Sequence, residues 1–327
     1  MKAKDESAMR NIVKKFFESL ILPAVVYVIF LILSPTTFSK PSSLYIMFLQ
    51  AIIPAVMGWG LCFMLISGLW DFSLGAVAIL VGIVAADVGL TYGIIPMLLT
   101  AVFLGIILDM VTGAIYSLLR IPSIVVTIAM ALVYEAVGSL YKGGSGYTIP
   151  QKLTVLGNPP FNFIIGIAAF FIAYALFNHT GFGTHVKAIG SNERLSKNMG
   201  VKPIRVKFTC FIVCGFFVGI SALLQLSYGG SMIPKSGLES MTMVFQPMMG
   251  VFIGLSLARV CNVIVGVFIG EFTMSIISTG MIALGLPSAL QNVVIGFFLL
   301  IFLIISLNQN LFFTFLKKRR RDPAQVS

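Results

Sequence analysis

Long apolar runs, repeated along the whole chain, constrain this sequence more than anything else in it. A bilayer hydrocarbon core of about 30 Å takes roughly 20 helical residues at 1.5 Å rise each. Breaks at Gly, Pro and charge clusters divide the chain into segments of that size. Ten are expected: Glu18 to Ser34, Leu44 to Ile66, Phe72 to Leu90, Ile94 to Leu119, Pro122 to Tyr141, Phe161 to Phe177, Phe208 to Tyr228, Met241 to Ala258, Asn262 to Leu284 and Pro287 to Leu307. The eighth is the weakest, because Pro247 and several glycines allow a broken or re-entrant helix. Only 10% of the residues are charged and 58% are hydrophobic, whereas soluble domains carry roughly 25% charged residues. With a mean hydropathy of +1.02, a soluble fold has nowhere to hide the apolar surface. The expected fold class is therefore all-α: a polytopic membrane helix bundle of about ten transmembrane helices, forming one domain over 18–310, with tails at 1–17 and 311–327.

The formal charge of +11 does not point to nucleic acid, since the basic residues fall between apolar runs instead of forming stripes beside exposed aromatic groups. Their placement sets topology. With the N-terminus inside and sides alternating, eighteen of the 22 Lys and Arg residues lie on the cytoplasmic face, and only Lys40, Lys142, Lys152 and Lys235 lie outside. Both termini are then cytoplasmic, in a multi-pass protein of the inner cell membrane. The N-terminal basic segment and the apolar run after it also raise a cleavable signal peptide, but the run is long and SPTTFSK offers no A-x-A site, so a retained first span is expected.

Most connections between spans are a few residues, but His179 to Lys207 is long and polar. Its core, SNERLSKNMG, reads as a short helix: Ser191 or Asn192 caps it, Glu193 lies in its first turn and Gly200 supplies a left-handed stop. A plain hairpin whose lysines only enforce topology is the alternative to a docking helix.

The chain has no G-x-x-x-x-G-K-[ST] phosphate loop; the nearest string, GGSGYT at Gly143 to Thr148, lacks the lysine. Transport against a gradient would need energy from an ion gradient or a partner. Cys62, Cys210, Cys214 and Cys261 sit in or beside apolar stretches without zinc-type spacing and read as core. Neither a metal, a cofactor nor a catalytic residue is expected. Intramembrane acids are functional candidates because they are costly to bury. Asp71, with Ser73 beside it, opens the third span as an N-cap, and Asp87 reaches the outer headgroup layer. Asp109, Glu135 and Glu271 lie deeper, with no Lys or Arg at similar depth. They read as hydrogen-bonding between helices or lining a wet pathway, Glu271 being nearest mid-span. Gly215, Gly219, Gly266 and Gly270 recur four apart and read as close helix packing. A sugar-stacking role for Trp59 or Trp70 is a weaker alternative to packing.

Three stretches resemble one family. LISGLWDFSLGAVAIL, Leu65 to Leu80, is similar to the T-G-G-I-D-L-S-V-G segment of permease subunits from bacterial ABC importers of ribose-type sugars, including autoinducer-2-like members. HTGFGTHVKAIGSNERLSKNMGVKPIRVK, His179 to Lys207, resembles that family's cytoplasmic loop, and IPSIVVTIAMALVYEAVGSLY fits the span after the first basic cytoplasmic turn. The resemblance implies that Asn192, Glu193, Arg194, Leu195, Lys197 and Asn198 form a coupling helix against an ATPase subunit, with Gly183, Gly190 and Gly200 shaping turns. It also implies a second permease subunit, identical or paralogous, an extracytoplasmic solute-binding protein and a pathway to which Asp71, Ser73, Asp109, Glu135 and Glu271 contribute. One departure stands out: where the family carries a G-G-S-x-x-G-G-x-G run, this chain reads GLSLARVCN, Gly254 to Asn262. The expected function is a non-catalytic permease subunit of an ATP-driven importer for a small polar solute, foremost a sugar, with nucleosides and branched-chain amino acids as alternative cargo. An ion-coupled carrier using Asp109, Glu135 or Glu271, and a channel or scaffold, are the competing classes.

Overall fold

In the computed structural model, backbone is described for residues 2–300 except 288, 292, 298 and 299, and side chains from Glu18 onward. The chain order is α1 (Lys2–Leu33), α2 (Pro35–Phe38), α3 (Pro41–Ile66), α4 (Leu74–Tyr92), α5 (Ile94–Leu119), α6 (Ser123–Leu140), α7 (Phe161–His179), α8 (Gly181–Ser191), α9 (Glu193–Asn198), α10 (Pro203–Gly229), α11 (Thr242–Ser256) and α12 (Val263–Ala283). The described residues fall into two compact units divided after Gly280. In the second, the end of α12 turns at Gly285, whose φ of 72° is left-handed.

Among the described residues, eight helices, α3 to α7 and α10 to α12, are long and apolar enough to cross a membrane. They coincide with the expected second to ninth spans. The first expected span falls on α1, whose apolar part, Glu18–Leu33, is shorter than the other eight. The basic segment before it, expected as a tail, is helical and continuous with it. The expected tenth span runs beyond the described residues, as does the 311–327 tail. The weak eighth span is one helix: α11 runs through Pro247 and is extended by 3-10 turns at Glu239–Met241 and Leu257–Arg259.

The interior is built around α3, α4 and α10, with α5 packed against α10 and α4, α6 against α4, and α7 and α11 against α3. Lipid tails are as apolar as leucine, so helices in a bilayer associate through close packing and hydrogen bonds. Two glycine seams supply the packing. Between α5 and α10, a Cβ on Gly105 would lie 2.5 Å from the Gly215 carbonyl oxygen and 2.9 Å from Gly219 Cα. Between α11 and α12, Gly254 faces Gly266 and Gly250 faces Gly270, and a Cβ on Gly266 would lie 2.8 Å from the Gly254 carbonyl oxygen. The glycines four apart act as expected.

Hydrogen bonds tie the helices further. Trp59 of α3 is buried and its Nε1 donates to the Ile264 carbonyl of α12 at 3.0 Å, while Ser275 Oγ donates to the Met47 carbonyl at 2.7 Å. Trp59 is thus a core residue. Cys62, Cys210 and Cys214 are buried and unbridged, Cys261 half-buried. At the opposite end from α8 and α9, β1 (Tyr147–Thr148) pairs antiparallel with β2 (Ser231–Met232), a contact with no signal in the sequence pattern. There Asp87 meets Lys142 at 2.7 Å and accepts from the Tyr141 hydroxyl at 2.9 Å.

Gly105→Leu is expected to lower stability by several kcal/mol, because backbone on both sides of the seam leaves overpacking no flexible side chain to displace. Gly229→Ala, in α10 with nothing within 4 Å of its added Cβ, is expected to leave stability unchanged. Thermal inactivation of the two detergent-solubilised variants checks the pair.

Candidate functional site

The long connection folds into two helices where the sequence pattern gave one. α8 starts at Thr180, whose Oγ1 accepts from Gly183 N at 3.2 Å and donates to the Leu176 carbonyl. Its apolar positions Val186 and Ile189, one turn apart, are buried against the bundle. That Thr cap and that spacing were the available signal. Gly183 and Gly190 therefore do not shape turns, as the resemblance implied. They lie inside α8, where a side chain would overlap the Phe177 and Leu176 carbonyls or that of Ile66. α8 thus lies across the ends of α7 and α3. Lys187 covers the Phe177 ring, its Nζ 4.2 Å from the centroid.

α9 follows as the sequence indicates. Asn192 caps it, its side-chain oxygen accepting from Leu195 N at 2.9 Å, and Gly200 ends it with φ 89°. Arg194, Lys197 and Asn198 are exposed, and so are two apolar side chains, Leu195 at 57% and Met199 at 77%. Glu193 is committed within the chain: its Oε2 accepts from Lys207 Nζ at 2.9 Å, tying α9 to the first turns of α10.

The pathway candidates are all buried inside this chain. Asp71 is not the cap of α4. It lies in the non-helical segment 67–73, where its Oδ1 accepts from Ser73 N at 2.7 Å and from Ser73 Oγ at 2.6 Å. Ser73 precedes α4 and makes no side-chain cap bond. Two more amides of this break are taken by α6: Trp70 N donates to Ser123 Oγ at 2.9 Å, and Phe72 N to Thr127 Oγ1 at 3.3 Å. Trp70 is half-buried, against Phe72 and Phe252.

Glu135 clamps a loop. Its carboxylate accepts from Leu238 N at 2.8 Å and Ser240 N at 2.9 Å, at the start of the turn that leads into α11. A carboxylate at a helix N-terminus meets free amides and the positive end of the helix dipole, so Glu135 needs no basic partner. Asp109 and Glu271 are different. Neither carboxylate takes a hydrogen bond from the described residues. Asp109 sits beside the α5/α10 seam, against Gly215. Glu271 fills a niche that glycines of two other helices leave open: a Cβ on Gly250 would overlap its carboxyl group, and one on Gly58 would lie 3.2 Å from Oε1. The glycines of α11, which read as helix breakers in the sequence, make this room. Among the described residues no cluster of three or more His, Cys, Asp or Glu is arranged to hold a metal ion.

A bundle of apolar spans with a capped polar helix pair at one end and unpaired carboxyl groups in its interior defines a multi-pass membrane transport protein. The comparisons make the class specific. Residues 43–303 match the family described as the permease component of branched-chain amino acid transport systems, and the chain belongs to that family. Among its relatives, the ribose import permease protein of Escherichia coli K12 is 28% identical over 85% of this chain and 89% of its own length. The autoinducer 2 import system permease protein of Photorhabdus luminescens is 27% identical over 72% of each chain, and the L-arabinose ABC transporter permease protein of Azospirillum brasilense is 26% identical over 85% of this chain and 84% of its own. No solved structure matches. The chain is a permease of the inner membrane, a non-catalytic component by family.

Glu135→Ala leaves two backbone amides unpaired. The expected cost is about 1.5–3 kcal/mol for each lost bond to the charged group. Limited proteolysis is expected to cut between Ile233 and Glu239 in this variant at protease levels that spare the wild type.

Proposed function

We propose that this chain is the membrane-spanning subunit of an ATP-driven importer for a sugar-class solute. Two permease chains enclose the pathway, an extracytoplasmic binding protein delivers the solute, and separate ATPase subunits hydrolyse ATP and grip α9. The observation that carries this reading is α9 itself. It is a capped helix on a buttressed platform, presenting Leu195 and Met199 between the exposed Arg194, Lys197 and Asn198. Exposed apolar side chains ringed by charge are what a docking knob offers a cleft. The three relatives are named for ribose, autoinducer 2 and L-arabinose, which favours a hydroxyl-rich cargo over the branched-chain amino acids in the family's description. The charge asymmetry supports placing α8 and α9 in the cytoplasm.

In this reading the permease performs no covalent chemistry. It supplies two arrangements of its helices whose balance the ATPase shifts, and a ligand shifts that balance only by its differential affinity for the two. Asp71, Ser73 and Glu135 hold backbone at the break and at the start of α11, so their part in the pathway is to fix its walls. Asp109 and Glu271, which take no hydrogen bond from the described residues, are the groups left to accept from solute hydroxyls when neighbouring helix pairs shift.

The double variant Arg194→Ala/Lys197→Ala is expected to lose most of its co-purifying ATPase while keeping wild-type thermal stability. Wild-type recovery of the ATPase would sink the docking role of α9. Uptake that survives ATP depletion and collapses with a protonophore would favour the ion-coupled carrier instead.

A further inference from the structure

Behind α9, between α8 and the start of α10, lies a cavity of about 410 Å³ lined by His185, Met199, Gly200, Val201, Lys202, Arg205 and Val206. Among the described residues, its basic groups have no acid paired with them. Glu193 is the one acidic residue between His179 and Lys207, and it is bound to Lys207 at 2.9 Å. His185, Lys202 and Arg205 are exposed, and the structure shows no ion pair for them among the described residues.

The depth of the cavity follows from the length of α10. Its 27 residues span about 40 Å at 1.5 Å each, roughly 10 Å more than the hydrocarbon core. The uninterrupted apolar run of α10 begins at Phe208, so Lys202 and Arg205, one to two turns earlier, stand at headgroup level. α8 lies beside them, its apolar side turned into the bundle and its end packed on Ile66. Met199 is an exposed apolar side chain lining the cavity, and Ile204, next to Arg205 in the chain, is exposed too; the cavity lies at the N-terminal, positive end of the α10 dipole. A strong anion at this depth, with an apolar body beside it, is an acidic phospholipid.

We propose that the His185, Lys202 and Arg205 cavity binds the phosphate headgroup of an anionic phospholipid, pinning α8 and the foot of α10 to the membrane surface. Basic pockets among helices on the cytoplasmic side of membrane proteins hold such headgroups. The site adjoins the docking face of α9 at Met199, but its basic groups lie on α8 and at the start of α10, and it does not depend on which solute is carried.

The test is lipid retention. The full-length protein is exchanged into mixed micelles of equal phosphatidylglycerol and phosphatidylcholine, and bound lipid is counted by native mass spectrometry. The wild type is expected to retain phosphatidylglycerol in preference. Each lost basic group is worth roughly a fivefold loss, so Lys202→Gln/Arg205→Gln is expected to weaken retention about thirtyfold. Lys202→Arg should retain it, and Lys142→Gln, at the other end of the bundle, should behave as wild type. Equal retention of the two lipids by the wild type, or undiminished phosphatidylglycerol on the double variant, overturns the proposal. So does displacement by millimolar inorganic phosphate, which marks a site for free phosphate. A double variant that keeps phosphatidylglycerol but loses co-purifying ATPase also overturns it, assigning the cavity to the ATPase contact.

Discussion

Everything else in the bundle depends on backbone meeting backbone between α5 and α10. In a bilayer no hydrophobic force draws one apolar helix to another, so the close approach at Gly105, Gly215 and Gly219 has to come from side chains being absent. Once α10 is seated there, α3 packs along it and α4 along α5. The α11/α12 seam repeats the device, with a different consequence. Glycines at 250 and 58 open a niche for one large polar side chain, Glu271, between three helices.

The second constraint is that backbone amides inside a membrane must find partners within the protein. At two of the irregular places among the described residues, the 67–73 break and the turn into α11, the partners are polar side chains of a single helix. Ser123 and Thr127 of α6 take the amides of the 67–73 break at one end, and Glu135, two to three turns further along the same helix, takes Leu238 and Ser240 at the other. α6 thereby fixes both the entry to α4 and the entry to α11. This is why its polar residues do not face lipid: Ser123, Thr127, Tyr134 and Glu135 are all buried.

The sequence showed the spans and α9 clearly, because both rest on local chemistry: apolar runs of membrane length, and an Asn cap with a Gly stop. It did not show what the acids do. Glu135 and Glu271 look alike in sequence, each a lone carboxylate in an apolar run, and their difference lies in partners more than a hundred residues away or in glycines on other helices. α8 was missed for a related reason. Its glycines, Gly183 and Gly190, read as turn residues, whereas their purpose is contact with the carbonyls of Leu176, Phe177 and Ile66. The changed segment Gly254 to Asn262 makes the same point. Where a resembling family carries a glycine run, this chain closes α11 with a 3-10 turn and uses Gly254 against Gly266.

These contacts also determine how a load on α9 would travel in the proposed importer. α9 is too short to act as a lever alone, but it is joined to α10 through Lys207 and Glu193, and α8 before it rests on the ends of α3 and α7. A displacement of α9 therefore acts on three spans together. Since α10 and α5 are locked by backbone contact, they must move as one piece. The softer joints are those made by side chains, at the 67–73 break and at the start of α11. Relative motion then concentrates where α4 and α11 enter the bundle. A permease built this way changes its pathway by shifting whole helix pairs about polar joints, with its glycine seams left intact.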